Sequence, residues 1–366
     1  MSDKILFIGG AIDTLMPEHI DISEYERYFD IAGYNVGNLV YTLYTKKYLE
    51  YDKENSIHVM NINELNQIDF SKRKFDKIVI FCANQINPND TYLLQFANFL
   101  EKTDLPIILL GLGCQSNLDY SMDFLNLIPE HIKFLNILKA KKAIIGARGK
   151  FTKKCLYKLG ISSTVIGCPS FYKNGQNFQL FNPIKDDILV DVSCDWIKNA
   201  EIWHKLITKH KCDVICQSKD ELSLYKYSIS QASGEDIEKI RSFLSSDFNT
   251  TKDDKSFLGH CHIFFKISDW ENFIKTRDFY IGPKIHGCLM HILNGKPAML
   301  IVHDSRTREF AEYFHIPHIF VTDLTEKINF SQIYNNYNKS DIEENYFKIL
   351  NQYKEFLKSA NLKNSL

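Results

Sequence analysis

The sequence of 366 residues has almost no excess of charge of either sign: 44 lysines and arginines stand against 45 aspartates and glutamates. That balance argues against a general nucleic-acid binder and against a polybasic membrane-surface protein. No uninterrupted apolar run reaches the roughly 20 residues of a membrane-spanning helix. The first ten residues contain no basic region followed by a long apolar run; their apolar stretch, Ile5–Ile8, reads as a strand. Together these absences predict a cytoplasmic protein, able to work at the inner face of the membrane, with no transmembrane segment and no nucleic-acid partner. Short-period repeats and low-complexity blocks are also lacking. The nine cysteines are an odd number without an even framework, and Cys82, Cys168 and Cys216 sit inside apolar runs. They read as buried thiols in a reducing compartment. His260-Cys261-His262 and the Cys212/Cys216 pair lack a matching second pair at zinc spacing. No metal and no cofactor is expected.

What is present is alternation. Apolar runs at Ile5–Ile8, Ile57–Met60, Lys77–Cys82, Pro106–Leu110, Ala143–Ile145 and Thr164–Ile166 are separated by helical stretches, among them Gly37–Tyr48, Thr91–Leu100, Ile132–Leu138 and Lys150–Leu159. Continuous apolar strands separated by helices imply a parallel sheet covered on both faces. A polar, turn-rich linker comes next, at Lys173–Asn177 and Asn182-Pro183. The alternation then restarts, with strands at Ile188–Val192, Val214–Cys216, Ile263–Phe265, Asp278–Ile281 and Ala298–Val302. Its helices are expected at Ala200–Lys209, Asp236–Leu244, Trp270–Lys275, Cys288–Leu293 and Thr307–Phe314; Ser245–Ser256 reads as a surface loop. From Ser340 a helix carries one apolar stripe of Ile342, Tyr346, Ile349, Leu350, Tyr353 and Leu357, with Ser340 and Glu343 in a capping-box pattern. The fold class is therefore α/β, two Rossmann-like domains with parallel sheets. Residues 1–180 form the first, 181–330 the second, and 331–366 a terminal helix packing back on the body.

In open parallel sheets ligands bind beyond the carboxyl ends of the strands. Several expected strand ends lead into polar turns. Asn35-Val36-Gly37-Asn38 precedes a helix and can turn backbone N–H groups toward an anion. Gly111–Ser116, with Gln115, comes after the fourth strand; both segments also read as ordinary turns and caps. Arg148 comes after the fifth strand, in a segment, Lys139–Lys158, with eight basic residues and no acidic one. The lysines there read as a solvated helix face, whereas a planar guanidinium at a strand mouth suits a phosphate or carboxylate. The densest constellation is Gly282-Pro283-Lys284-Ile285-His286-Gly287, with Gly295-Lys296-Pro297 and His303-Asp304-Ser305-Arg306-Thr307-Arg308-Glu309 after it. Lys284 and His286, two residues apart, share a face if that segment is extended. A lone histidine is more often structural than catalytic, but His286 stands between glycines, beside a cation, at a strand–helix junction. His303, His315 and His318 lack that setting. Ser305 and Arg306 lie at a helix start where they can reach a ligand, or the arginines can pair with Glu309 or Glu312 on the helix.

These segments resemble the polysaccharide pyruvyl transferase family. Arg148-Gly149-x-x-Thr152, with Gly160-Ile161 before Gly167-Cys168-Pro169, is similar to that family's Arg-(Asp or Gly)-x-x-(Ser or Thr) segment. Gly282–Gly287, Gly295-Lys296-Pro297 and Asp304-Ser305-Arg306 resemble its Arg-x-His-(Gly or Ala) segment and the stretch C-terminal to it. Asn35–Asn38 looks like its Asn-x-Gly-Asp motif. The resemblance covers roughly residues 30–320 in the right order, and the conjunction of short motifs carries it. Two positions depart: Lys284 stands where the family usually has arginine, and Asn38 where it usually has aspartate. Lysine keeps the charge but loses the bidentate fork, and Asn38 cannot act as a carboxylate.

The resemblance implies a GT-B-like pair of domains with phosphoenolpyruvate as donor in the cleft. A saccharide, lipid-linked or nucleotide-linked, would be the acceptor, within bacterial surface polysaccharide synthesis. It implies His286 as the catalytic proton carrier, able to exchange protons near neutral pH. Arg148, Lys284, Gly287, Asn35, Asn38, Gln115, Ser305 and Arg306 would lie around the donor. Two other readings share these features: a GT-B glycosyltransferase using a nucleotide sugar, and a non-catalytic carbohydrate-binding protein on the same fold.

Overall fold

The computed structural model describes residues 2–12, 15–126, 129–180, 190–192, 212–238, 260–325 and 327–366. The expected helix Ala200–Lys209 and loop Ser245–Ser256, with part of Asp236–Leu244 and of the linker, lie outside the described residues.

The first sheet contains β1 (Ile5–Ile8), β2 (Ile57–Val59), β3 (Lys77–Phe81), β4 (Ile107–Leu112), β5 (Ile144–Ala147) and β6 (Thr164–Val165). They pair in parallel in the order β2-β1-β3-β4-β5-β6. All residues of β1, β3 and β4 are buried. Each fully buried aliphatic side chain of such strands contributes about 1.5–3 kcal/mol. A second parallel sheet contains β7 (Val190–Val192), β8 (Asp213–Ile215), β9 (Cys261–His262), β10 (Phe279–Gly282), β11 (Ala298–Val302) and β12 (His318–Phe320), in the order β12-β11-β10-β7-β8-β9. Its order reverses at β7 and β10, as in doubly wound folds, and the first sheet has the flavodoxin-like order 2-1-3 at its reversal. The chain is thus α/β with two Rossmann-like parallel sheets in a GT-B-like pair. One large apolar cluster joins the two, and a further cluster covers a face of each sheet.

Five helices place the residues of the seam: α1 (Gly37–Tyr48), α2 (Lys150–Lys158), α3 (Ile285–Leu293), α4 (Ser305–Phe314) and α5 (Lys339–Ser359). The apolar stripe of α5 is buried throughout. It packs against the first sheet's elements, with Tyr353 stacked on Tyr172 and sharing a hydrogen bond with Tyr48.

Several expectations change. The apolar run Ile263–Phe265 is not a strand; β9 is the preceding Cys261–His262. Phe265 instead packs on Tyr25, Tyr28 and Phe29, so the run serves the seam between the two sheets. Helix α3 starts at Ile285, not Cys288, with Lys284 as its extended N-cap residue. His286 therefore lies in a helical first turn, not two residues along an extended segment from Lys284. The terminal helix is capped by Asn338, whose side chain accepts from the Ser340 amide, and not by a Ser340–Glu343 box. The strand β12 and the helices Leu222–Ser228 and Phe330–Asn335 have no counterpart among the expected elements.

Candidate functional site

The strand order reverses between β1 and β3 in the first sheet and between β7 and β10 in the second. Both points are crevices by construction, because the connections leave in opposite directions. Loops at the carboxyl ends of β3, β4 and β5, and the start of α3 after β10, meet at the seam of the two sheets.

Arg148 comes directly after β5. Its Nε donates to Gly111 O at 3.0 Å and its Nη2 to Cys82 O at 3.3 Å, which fixes the guanidinium against the ends of β3 and β4. Its Cζ lies 5.6 Å from the Tyr41 ring centre. Tyr41 is itself locked: its hydroxyl donates to Leu110 O at 2.5 Å and accepts from the Cys82 amide at 3.2 Å. The Tyr41 ring is also near His286, with ring centres 6.5 Å apart. Arg306 and Arg308 are paired with Asp304 and Glu312. Arg148 has no carboxylate at ion-pair distance among the described residues.

His286 sits on the first turn of α3. Its Nε2 is shut off from solvent and has no hydrogen-bond partner. Its Nδ1 lies over the start of α1, where a Cβ added to Gly37 would fall 2.5 Å from that nitrogen. Burial, then the charges of Arg148 and Lys284, push the imidazole pKa down to about 3. The expectation of a histidine exchanging protons near neutral pH is corrected for the protein without ligand: His286 is neutral there, because every neighbouring influence opposes its charge. Lys284 is buried, and α3 has no side-chain cap of its own. The locus combines two cations, a helix N-terminus without a side-chain cap and an imidazole whose charge both cations oppose.

The chain from residue 20 to residue 305 matches the family model for polysaccharide pyruvyl transferase. The chain belongs to the polysaccharide pyruvyl transferase family. It is thereby a transferase. No curated protein matches it in sequence. Among solved structures, similar chains include the S. aureus MnaA–UDP complex, at 12% identity and TM-score 0.45, covering 95% of this chain and 90% of that one. A putative UDP-N-acetylglucosamine 2-epimerase from Listeria monocytogenes has 10% identity and TM-score 0.40, covering 96% and 91%. The T4 phage glucosyltransferase with UDP-glucose has 12% identity and TM-score 0.40, covering 98% and 97%.

In this pyruvyl transferase family member the remaining candidate residues divide. Asn38 and Gln115 line a cleft of about 1060 Å³ at the carboxyl ends of β1, β3 and β4, which Tyr41 also borders. Asn38 Nδ2 is engaged with Ala32 O and Gly33 O, and Gln115 Oε1 accepts from Asn84 Nδ2 at 2.5 Å. Asn35 serves its own loop: its Oδ1 accepts from Gly37 N at 2.7 Å and its backbone bridges to Ser218 across the seam. Gly287 permits close packing, since a Cβ there would collide with the Tyr280 hydroxyl. Ser305 is fully buried in the seam, where its Oγ accepts from Ser116 N at 2.7 Å. Arg306 Nε donates to Asp304 Oδ2 at 2.6 Å. The structure thus gathers Arg148, Lys284 and His286, and sets Ser305 and Arg306 in other contacts.

Sequence reasoning passed over Tyr41, named Gly37 only as part of a turn, and named Glu309 only as a possible partner of the helix arginines. The signal for Glu309 was Thr152 of the Arg-Gly-x-x-Thr segment, whose amide and hydroxyl both donate to the Glu309 carboxylate, at 2.7 and 2.8 Å. Burial pushes Glu309 up to about 7 against these hydrogen bonds and the charge of Arg148. The folded pKa is raised above the ordinary carboxylate value, so the folded state binds more protons between about pH 4.5 and 7. Stability from this group is therefore present in acid and lost as pH rises through that window. Around it stand Arg148, Thr152 and Tyr120, with Lys150, Lys154, Glu312 and His315 lining the adjoining cleft. Glu309→Gln should gain stability relative to wild type between pH 5 and pH 8, by up to about 3 kcal/mol. Denaturant unfolding at the two pH values measures it; an unchanged difference would remove Glu309 from the titration.

Proposed function

We propose that the protein transfers the pyruvyl group of phosphoenolpyruvate to a saccharide, forming a ketal in the synthesis of a bacterial surface polysaccharide. Family membership supports the reaction class. The observation that carries the donor is the convergence of Arg148, Lys284 and the uncapped start of α3 on one half-buried imidazole whose Nε2 is shut off from solvent. Phosphoenolpyruvate brings a phosphate and a carboxylate, and such groups suit a guanidinium, an ammonium and free helix N–H groups.

Donor charge would offset the two cations that hold His286 neutral, so the imidazole acquires its proton when the donor is in place. It then protonates the methylene carbon, leaving an oxocarbenium-like centre at C2. An acceptor hydroxyl adds there and returns its proton to the imidazole. Phosphate leaves with the electrons of its C–O bond, and a second hydroxyl of the same sugar closes the ketal and loses its proton. The 1060 Å³ cleft beside Tyr41 is where the saccharide lies in this reading: Asn38, Asn61, Asn84, Asn87 and Gln115 on its wall offer amides suited to sugar hydroxyls.

Calorimetric titration tests the donor. Wild type should bind phosphoenolpyruvate, and Lys284→Ala should bind it about 10–150-fold more weakly, the loss of one charge-assisted contact. No heat with phosphoenolpyruvate, alongside binding of a nucleoside diphosphate, would replace this reading with a nucleotide-sugar glycosyltransferase.

A further inference from the structure

Helix α2 begins immediately after Arg148, and its N-cap position is Gly149, which has no side chain to cap it. The first amides of a helix need acceptors, and at N3 the acceptor is ordinarily an oxygen on the N-cap side chain. Here N3 is Thr152, and its amide donates 2.7 Å to Glu309 Oε1, on α4 of the other sheet's domain. The three atoms nearest a Cβ placed on Gly149 all belong to Glu309: Cγ, Cδ and Oε1, the last at 2.5 Å. The carboxylate therefore occupies the space in which an N-cap side chain would stand. Gly149 has φ −172° and ψ −168°, extended backbone open to any residue. The glycine is required by the visiting carboxylate, not by its own conformation. Glu309 Oε2 also accepts from the Thr152 hydroxyl, and that hydroxyl oxygen accepts from the Cys114 amide at 3.1 Å, so the contact continues to the turn after β4.

We infer that Glu309 is the N-cap of α2 supplied in trans, a positioning residue through which the second domain holds the Arg148 loop in its donor-binding place. The inference rests on the assignment of Arg148 to the donor. It explains why a carboxylate, 4% exposed and without a lysine or arginine ion-paired to it among the described residues, is retained at the seam.

The cap can be moved back into its own helix, which gives the test. Phosphoenolpyruvate affinity by calorimetry and the thermal midpoint are measured for wild type, Glu309→Ala, Gly149→Ser, the double variant and Glu309→Gln. Glu309→Ala should bind the donor about tenfold more weakly, the scale of a lost cap. Gly149→Ser alone should also lose affinity, because its Cβ collides with Glu309. In the double variant the introduced serine caps Thr152 in the space the truncation frees, and binding should return to within about threefold of wild type. Glu309→Gln keeps an accepting oxygen and should bind nearly as wild type. Wild-type binding by Glu309→Ala would overturn the proposal. So would a double variant that regains its thermal midpoint but not its affinity, since the cap would then hold the fold and not Arg148. Should wild type itself fail to bind phosphoenolpyruvate, the donor reading falls; the capping claim still stands or falls on whether the introduced serine restores the midpoint.

Discussion

Replacing His286 by alanine should reduce pyruvyl transfer by about 10²–10⁴-fold, the usual contribution of a general acid–base group, while phosphoenolpyruvate still binds. In the proposed function the donor's charges face Arg148, Lys284 and the start of α3, none of which the substitution removes. Donor affinity should fall slightly where the imidazole, with a pKa of about 3 without ligand, takes up a proton as the donor binds, because a proton taken up with the donor favours its binding. The same argument fixes the pH behaviour. With donor bound, the imidazole titrates at higher pH than in the empty protein, and the alkaline limb of the rate profile, where the imidazolium is lost, should belong to the complex. Initial rates with a pyruvylatable saccharide, and a nuclear magnetic resonance titration of the His286 ring with and without donor, check both parts. Wild-type turnover in the alanine variant, or a ring pKa unmoved by donor, would take His286 out of proton transfer.

Gly37→Ala should lower turnover by about 10²-fold through a single methyl group. Alanine is intrinsically a better helix former than glycine, so the effect is not a weakened helix. The added carbon would lie 2.5 Å from His286 Nδ1 and 2.9 Å from both His286 Cβ and Asn35 Oδ1. Those distances cannot be kept, and what gives way is the imidazole or the Asn35 loop that bridges the seam. Displacement of a reacting group by about 1 Å costs on the order of 10² in rate. Overpacking costs about 1–3 kcal/mol in stability, partly offset by the propensity gain. Steady-state kinetics beside a thermal melt separate the two: a normal rate with a lowered midpoint would show that Gly37 clears space for packing alone.

Much of the fold was legible because parallel strands buried on both faces are written as continuous apolar runs. Ile5–Ile8, Gly37–Tyr48 and Ala298–Val302 have the bounds expected of them. The failures have a common cause. Ile263–Phe265 is as apolar as a strand because it fills the seam, and a single sequence does not distinguish burial in a sheet from burial between domains. The start of α3 was set three residues late because His286 and Gly287 are weak helix formers, and packing against α1 overrides that preference. At the site, Arg148, Lys284 and His286 were readable from their places after strands. Glu309 and Thr152 were not readable as a pair, since 157 residues separate them and only the docking of α4 on α2 brings them together. Ser305 and Arg306 drew notice by their polarity, which the structure uses for the seam and for Asp304.

The return of α5 to the first sheet also sets an order of assembly. Tyr48 meets Tyr353 across 305 residues, and Lys77 Nζ donates to Asn361 O across 284. Residues 339–366 leave the ribosome only after the whole second sheet has been made. The domain synthesised first is therefore the last to close its core, and until then it exposes the tyrosine-rich surface that α5 will cover. Contacts of such separation slow folding.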